Sequence, residues 1–128
     1  MHYAVCRAAG WAVTGPRPPV VIGPVPRQVI LGYLADELDW GLQHAHEAYA
    51  VLNACRAMVF LSDDAIVSKI AGGQAALGRG FGPPELIRRA LSQHRGHAAE
   101  QPPEGDAAEF VHATAAALRD ACGLNYRP

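Results

Sequence analysis

Between Arg27 and Trp40, apolar side chains fall at Ile30, Leu31, Tyr33, Leu34 and Leu38, while Asp36, Glu37 and Asp39 take the opposite side. Spacing by three and four predicts an amphipathic helix. From about Glu47 to Leu61, the positions Tyr49, Val51, Leu52, Cys55, Val59 and Phe60 make a segment that is apolar around most of a helical circumference, which predicts a helix at the centre of the fold. Ser68 is placed to cap a third helix running through about Leu77. Gly72 and Gly73 inside it each cost about 1 kcal/mol relative to alanine, so either another element approaches closely there or the helix is weak. Gly78, Gly80 and Gly82 end that segment, and Pro83, Pro84 and Glu85 supply first-turn chemistry for a fourth helix that carries Leu86, Ile87, Ala90 and Leu91 and stops near Gly96. Asp106 with Glu109 three residues on has the form of a capping box and opens a fifth helix, which closes before Gly123.

Ahead of these helices the chain has another character. A short apolar stretch ends at Gly10, and Gly15-Pro16-Arg17-Pro18-Pro19, Gly23-Pro24 and Pro26 follow. Prolines at this density forbid a regular helix and leave few donors for a sheet ladder, so residues 1–26 are expected to form an extended connector. Val20, Val21, Ile22 and Val25 suggest that it lies against a hydrophobic surface, in this chain or in a partner. The fold class that results is all-α: a small bundle of about five helices preceded by an extended Pro/Gly-rich connector. Its expected units are the connector 1–26, a helical domain 27–97, a linker 98–105 and a C-terminal helix 106–123.

Composition narrows the choices. The 128 residues fit one domain, and with 50% hydrophobic and 18% charged residues the chain has a globular composition. A formal net charge of -1 gives no basic footprint for a nucleic-acid backbone or an anionic membrane. No stretch of about 18 apolar residues lacks proline, glycine or charge, which argues against a membrane span. Cys6, Cys55 and Cys122 are odd in number, show no CxxC spacing and read as small buried hydrophobes. Arg7 interrupts the first apolar run, nothing at the start resembles a secretory signal, and a cytoplasmic setting is expected.

Lys69 is the only lysine beside ten arginines. At a helix N-terminus next to Ser68, its ammonium and the free backbone N–H groups would converge on an anion; a solvated surface lysine is the alternative. Arg56 stands within the apolar central helix, and a guanidinium there needs a partner, so a structural ion pair is expected. The pairs Asp36/Asp39 and Asp63/Asp64 read as solvated surface, with no metal site expected from them.

The run Tyr49-Ala50-Val51-Leu52-Asn53-Ala54-Cys55-Arg56, then Ser68-Lys69 and Gly73-Gln74-Ala75-Ala76-Leu77, resembles the C-terminal helical domain of the aminoglycoside adenylyltransferases that modify streptomycin and spectinomycin. Gly15-Pro16 leading into Pro24-Val25-Pro26-Arg27 is similar to the segment joining that domain to the catalytic one, and Pro83-Pro84 with Leu86-Ile87 to its later helix. The resemblance runs from about residue 4 to 97; beyond Gly96 nothing is family-specific. It implies AMP transfer from ATP to an antibiotic hydroxyl, with Mg²⁺ held by carboxylates of an N-terminal nucleotidyltransferase domain. That domain's Gly-Ser turn and Asp-x-Asp pair have no counterpart in this sequence, so no catalytic residue and no metal ligand is assigned, and the chain is expected to be inactive alone. It reads as a detached or truncated substrate-side domain that complements a separate nucleotidyltransferase domain or is a fragment. In the family, a lysine after serine reaches the nucleotide phosphates, a position that Lys69 matches. A later nucleotide-contacting tyrosine falls at His94. Trp40, His46 and Glu47 occupy the region facing the drug, with His46 at the position where an acid is expected, and His44 lies beside them.

Other readings stay open. Arg89 and His94 have the Arg-to-His spacing of helical-bundle ribonucleases that need no metal. His44, His46, His94, His97 and His112 could be a metal set, although none shows the i, i+4 spacing and adjoining acid of a zinc helix. A non-catalytic interaction module would expose an apolar groove.

Overall fold

The computed structural model describes residues 2–10, 15–17, 23–96 and 101–123. Six helices follow one another: α1 (His2–Ala9), α2 (Arg27–His44), α3 (Glu47–Asp63), α4 (Lys69–Arg79), α5 (Pro84–Arg95) and α6 (Gly105–Cys122). No strand occurs among the described residues, and the all-α bundle expected from the pattern is the architecture found. No helix among these residues is long and apolar enough to cross a membrane.

The N-terminal expectation needs correction. Residues 2–9 are helical rather than extended, because the prolines that forbid a helix begin only at Pro16 and Met1 to Ala9 contains neither glycine nor proline. Ala4 of α1 is buried in the common core. Residues 15–17 and 23–26 have no regular structure, and Val25 packs against the core as expected. Val20, Val21 and Ile22 lie outside the described residues.

The expected starts and stops are realised with local differences. α2 runs one turn past Trp40, to His44. The Ser68 hydroxyl accepts from the Ala71 amide at 3.1 Å and caps α4. Asp106 is no cap: Glu104 occupies the N-cap of α6 without a side-chain bond, and the Asp106 carboxylate goes to Arg89. α3 stops where Asp64 enters the left-handed region at φ 55°, and the Asp64 carboxylate pairs with Arg27 at 2.5 Å, tying the end of α3 to the start of α2.

α3 is the central element and touches α2, α4, α5 and α6. Ala48, Ala50, Val51, Leu52, Ala54, Cys55, Ala57, Val59 and Phe60 are all buried on it. Against them pack Leu31, Leu34 and Leu38 of α2, Leu86 and Ile87 of α5, and Val111 and Leu118 of α6. Truncating one of these leucines to alanine removes apolar contact and leaves a cavity, at about 2–5 kcal/mol. The paired glycines of α4 are explained by close approach. A Cβ on Gly72 would lie 2.8 Å from Arg56 Cγ and 3.0 Å from Arg56 Cα, and one on Gly73 would lie 2.8 Å from a Leu91 methyl. Small residues therefore let α4 sit directly on α3, which brings its N-terminus beside Arg56.

Candidate functional site

The N-terminus of α4 opens into a cavity of about 450 Å³ lined by Val5 and Ala9 of α1, Arg56 of α3, Ile66, Val67 and Ser68, Lys69 and Ile70 of α4, and His94 of α5. Its fixed charge is one-sided: Arg56 and Lys69 contribute cations, His94 adds an imidazole, and among the described residues no carboxylate belongs to the lining. The Ala71 and Gly72 amides are satisfied by Ser68, through Oγ and the backbone oxygen. The Lys69 and Ile70 amides at the first helical positions have no intrahelical acceptor, and they add the positive end of the α4 dipole to the cavity. Lys69 and His94, both assigned to nucleotide binding by resemblance, thus come together in one place.

Arg56 was expected in an ion pair, and the structure overturns that. Among the described residues no carboxylate lies within 4.0 Å of its guanidinium, whose Nη1 donates instead to Asn53 Oδ1 at 3.2 Å. Arg27, Arg79, Arg88, Arg89 and Arg119 all pair with carboxylates. Lys69 feels the consequence. Its partial burial, and then the neighbouring Arg56 charge, hold its pKa below the ordinary lysine value against the opposing pull of Glu37.

Tyr49 links this cavity to a second one. The Lys69 ammonium sits 4.8 Å from the centre of the Tyr49 ring, and the Tyr49 hydroxyl makes a long hydrogen bond to Glu37 Oε1 at 3.5 Å. Tyr49 also lines a cavity of about 600 Å³ together with Trp40, Gln43, His44, Ala45, His46 and Pro102. Trp40 is 52% exposed and stacks on His44 with ring centres 5.0 Å apart. His46 caps α3, its Nδ1 accepting from the Tyr49 amide at 3.3 Å. Trp40 and His46, two of the residues assigned to the substrate, share this cavity. Glu47 does not line it: its carboxylate takes Arg89 Nε at 2.7 Å, and Arg89 also reaches Asp106 at 3.3 Å. Asp36 and Asp39 both meet Arg119.

Tyr49 and Arg56 line these cavities but were not among the candidates read from the sequence, although both stand in the motif that carried the resemblance. The available signal was their register: positions 49, 53 and 56 form one i, i+4, i+7 stripe on α3.

The competing constellations do not assemble. Arg89 is held by Glu47 and Asp106, while His94, five residues on and about 140° further around α5, faces the Lys69 cavity. Among the described residues no three His, Cys, Asp or Glu side chains gather to hold a metal ion. His112 is exposed on α6, and His97 lies outside the described residues. Cys55 is buried, as expected, which pushes its thiol pKa up to about 12; Cys122 is half-buried and its thiol donates to the Gln28 carbonyl at 3.2 Å. The Cys6 side chain lies outside the described residues. α2 leaves Val29 and Tyr33 exposed, along with Trp40.

Neither a comparison with curated proteins nor one with solved structures finds a match to this chain. The sequence model of the family described as "aminoglycoside adenylyltransferase, C-terminal domain" matches residues 20–119, so the match extends through most of α6, beyond the limit of the resemblance seen in the sequence. With most of its length covered by that match, the chain belongs to the aminoglycoside adenylyltransferase C-terminal domain family.

Proposed function

We propose that this chain is the substrate-side helical domain for AMP transfer from ATP to an antibiotic hydroxyl, acting in the cytoplasm beside a nucleotidyltransferase domain. Lys69, Arg56 and His94 hold the polyphosphate of ATP, and the cavity of Trp40, His46 and Tyr49 faces the aminoglycoside. The observation that carries this reading is the convergence of Lys69, Arg56 and His94 on one cavity with no carboxylate among the described residues of its lining. Two fixed cations and a helix N-terminus supply charge-assisted donors to phosphate oxygens, and such bonds are about twice as strong as neutral ones. Catalysis and Mg²⁺ binding fall to the partner domain in this reading, because the Gly-Ser turn and Asp-x-Asp pair of the family's nucleotidyltransferase domain have no counterpart in this sequence, and the chain alone is expected to transfer no AMP. Glu47 acts on the acceptor side only indirectly, by fixing the start of α3 to Arg89.

Calorimetric titration tests this reading. Tripolyphosphate and ATP should give saturable heat with the wild-type chain and none with Lys69→Ala. Streptomycin and spectinomycin should bind only when the nucleotidyltransferase domain and Mg-ATP are also present. Absence of tripolyphosphate binding at millimolar concentration would overturn the assignment of the cavity.

A further inference from the structure

Asn53 is 4% exposed, on the face of α3 between Tyr49 and Arg56. Its Oδ1 accepts from the Arg56 guanidinium, and its Nδ2 has no hydrogen-bond partner. A buried donor left unmade is a standing cost to the fold, and an apolar residue of similar size would remove it. A carboxylate at this position would also remove it, and would give Arg56 the ion-pair partner that Arg27, Arg79, Arg88, Arg89 and Arg119 have. The amide differs from both alternatives in one respect: it fixes the guanidinium and leaves its charge uncancelled. The Arg56 stem is confined as well, because Gly72 lies against its Cα and Cγ. Held at both ends, the guanidinium stays in the cavity lining with Lys69.

Resting on the polyphosphate reading above, we infer that Asn53 is a positioning residue, a neutral anchor that orients Arg56 toward a bound polyphosphate while preserving the positive potential of the cavity. Neutral anchoring has a cost that the structure displays in the orphaned Nδ2, and in the share of the Lys69 shift that comes, after its partial burial, from the Arg56 charge. Both are accounted for if an anion arrives to use the two cations together. A purely structural asparagine would instead be expected to satisfy both ends of its amide.

The test is the affinity of the whole chain for tripolyphosphate by calorimetry at fixed ionic strength, with thermal unfolding followed in parallel. Asn53→Asp cancels the Arg56 charge and should weaken binding about tenfold or more without lowering the melting temperature. Asn53→Leu frees Arg56 without cancelling it and should weaken binding by a smaller factor while the melting temperature stays or rises. In an Arg56→Ala background, Asn53→Leu should leave the affinity unchanged, since the anchor then has nothing to hold. Wild-type affinity in both Asn53 variants overturns the inference while the polyphosphate reading survives; no binding by the wild-type chain overturns both. If Asn53→Asp does not fold, Asn53→Leu in the two backgrounds decides. Equal losses in the two backgrounds refute the positioning role.

Discussion

Replacing Gly72 by alanine sets two effects of known size against each other. Alanine in a helix interior is favoured over glycine by about 1 kcal/mol. The added Cβ, however, would lie 2.8 Å from Arg56 Cγ and 3.0 Å from the Arg56 Cα and backbone nitrogen. The latter two atoms belong to the α3 backbone and move only if α4 is pushed off it, an overpacking strain of about 1–3 kcal/mol. The net expectation is a destabilisation of up to about 2 kcal/mol. Gly73 differs, because the nearest atoms to its added Cβ are side-chain carbons, the methyls of Leu91 and Leu52 at 2.8 and 2.9 Å and Leu91 Cγ at 3.2 Å, and side chains shift more easily than backbone. Gly73→Ala should therefore fall between Gly72→Ala and wild type. Gly32, inside α2 with nothing within 4 Å of an added Cβ, is the control and should gain about 0.5–1 kcal/mol. Urea unfolding followed by far-UV circular dichroism orders the three variants. If Gly72→Ala matches Gly32→Ala in stability, the two helices are not in contact at Arg56, and the account of how Lys69 reaches the cavity fails with it.

Cys55 should resist alkylation in the folded chain and react on unfolding, read by mass mapping of the modified peptide, because burial pushes its thiol pKa up to about 12. Arg89→Ala should cost about 1–2 kcal/mol by urea unfolding: the pair with Asp106 is exposed and screened, but the Glu47 side chain it leaves unpaired is only 19% exposed. The depressed Lys69 pKa means that the unfolded chain binds more protons at high pH, so stability rises as pH climbs from the folded toward the ordinary lysine value; Lys69→Met should lack that rise in denaturation midpoints. Tripolyphosphate affinity, which requires the ammonium, should fall over the same window and at lower pH than an ordinary lysine would give.

The bundle was legible because periodicity and punctuation agreed. The stripe of α2, the all-round apolar character of α3 and the Ser68 cap all point to helices that form where expected. α1 was hidden because the proline density of residues 16–26 was extended backward over a stretch that contains none. The Asp106–Glu109 spacing misled because a capping box is a local pattern, and here a long-range partner, Arg89, takes the carboxylate. Of the candidate site, the place of Lys69 at the start of α4 could be read from Ser68 beside it. Arg56 was read backwards: its burial implied a partner, and the sequence could not say that the partner three residues away is an amide and not an acid. Glu47 looked like a free acid because Arg89 is forty-two positions distant and only the packing of α5 against α3 unites them.

Those pairings partition the charge of the molecule. The acids that cluster in sequence around the α2–α3 junction each have a partner: Asp36 and Asp39 share Arg119, Glu47 takes Arg89, and Glu37 takes the Tyr49 hydroxyl. Among the described residues, Arg56 and Lys69 receive no such cancellation from a carboxylate within pairing distance. A formal net charge of -1 thus coexists with a concave positive spot a few residues across. Net charge governs what the molecule attracts from beyond a Debye length of about 8–10 Å; inside that distance the nearest fixed charges decide. An extended nucleic-acid backbone would answer to the net charge of the whole surface, whereas one short polyphosphate, as proposed above, would answer only to the cavity. The arithmetic that argued against a nucleic-acid partner therefore leaves a nucleotide untouched, and the two conclusions rest on different length scales of the same electrostatics.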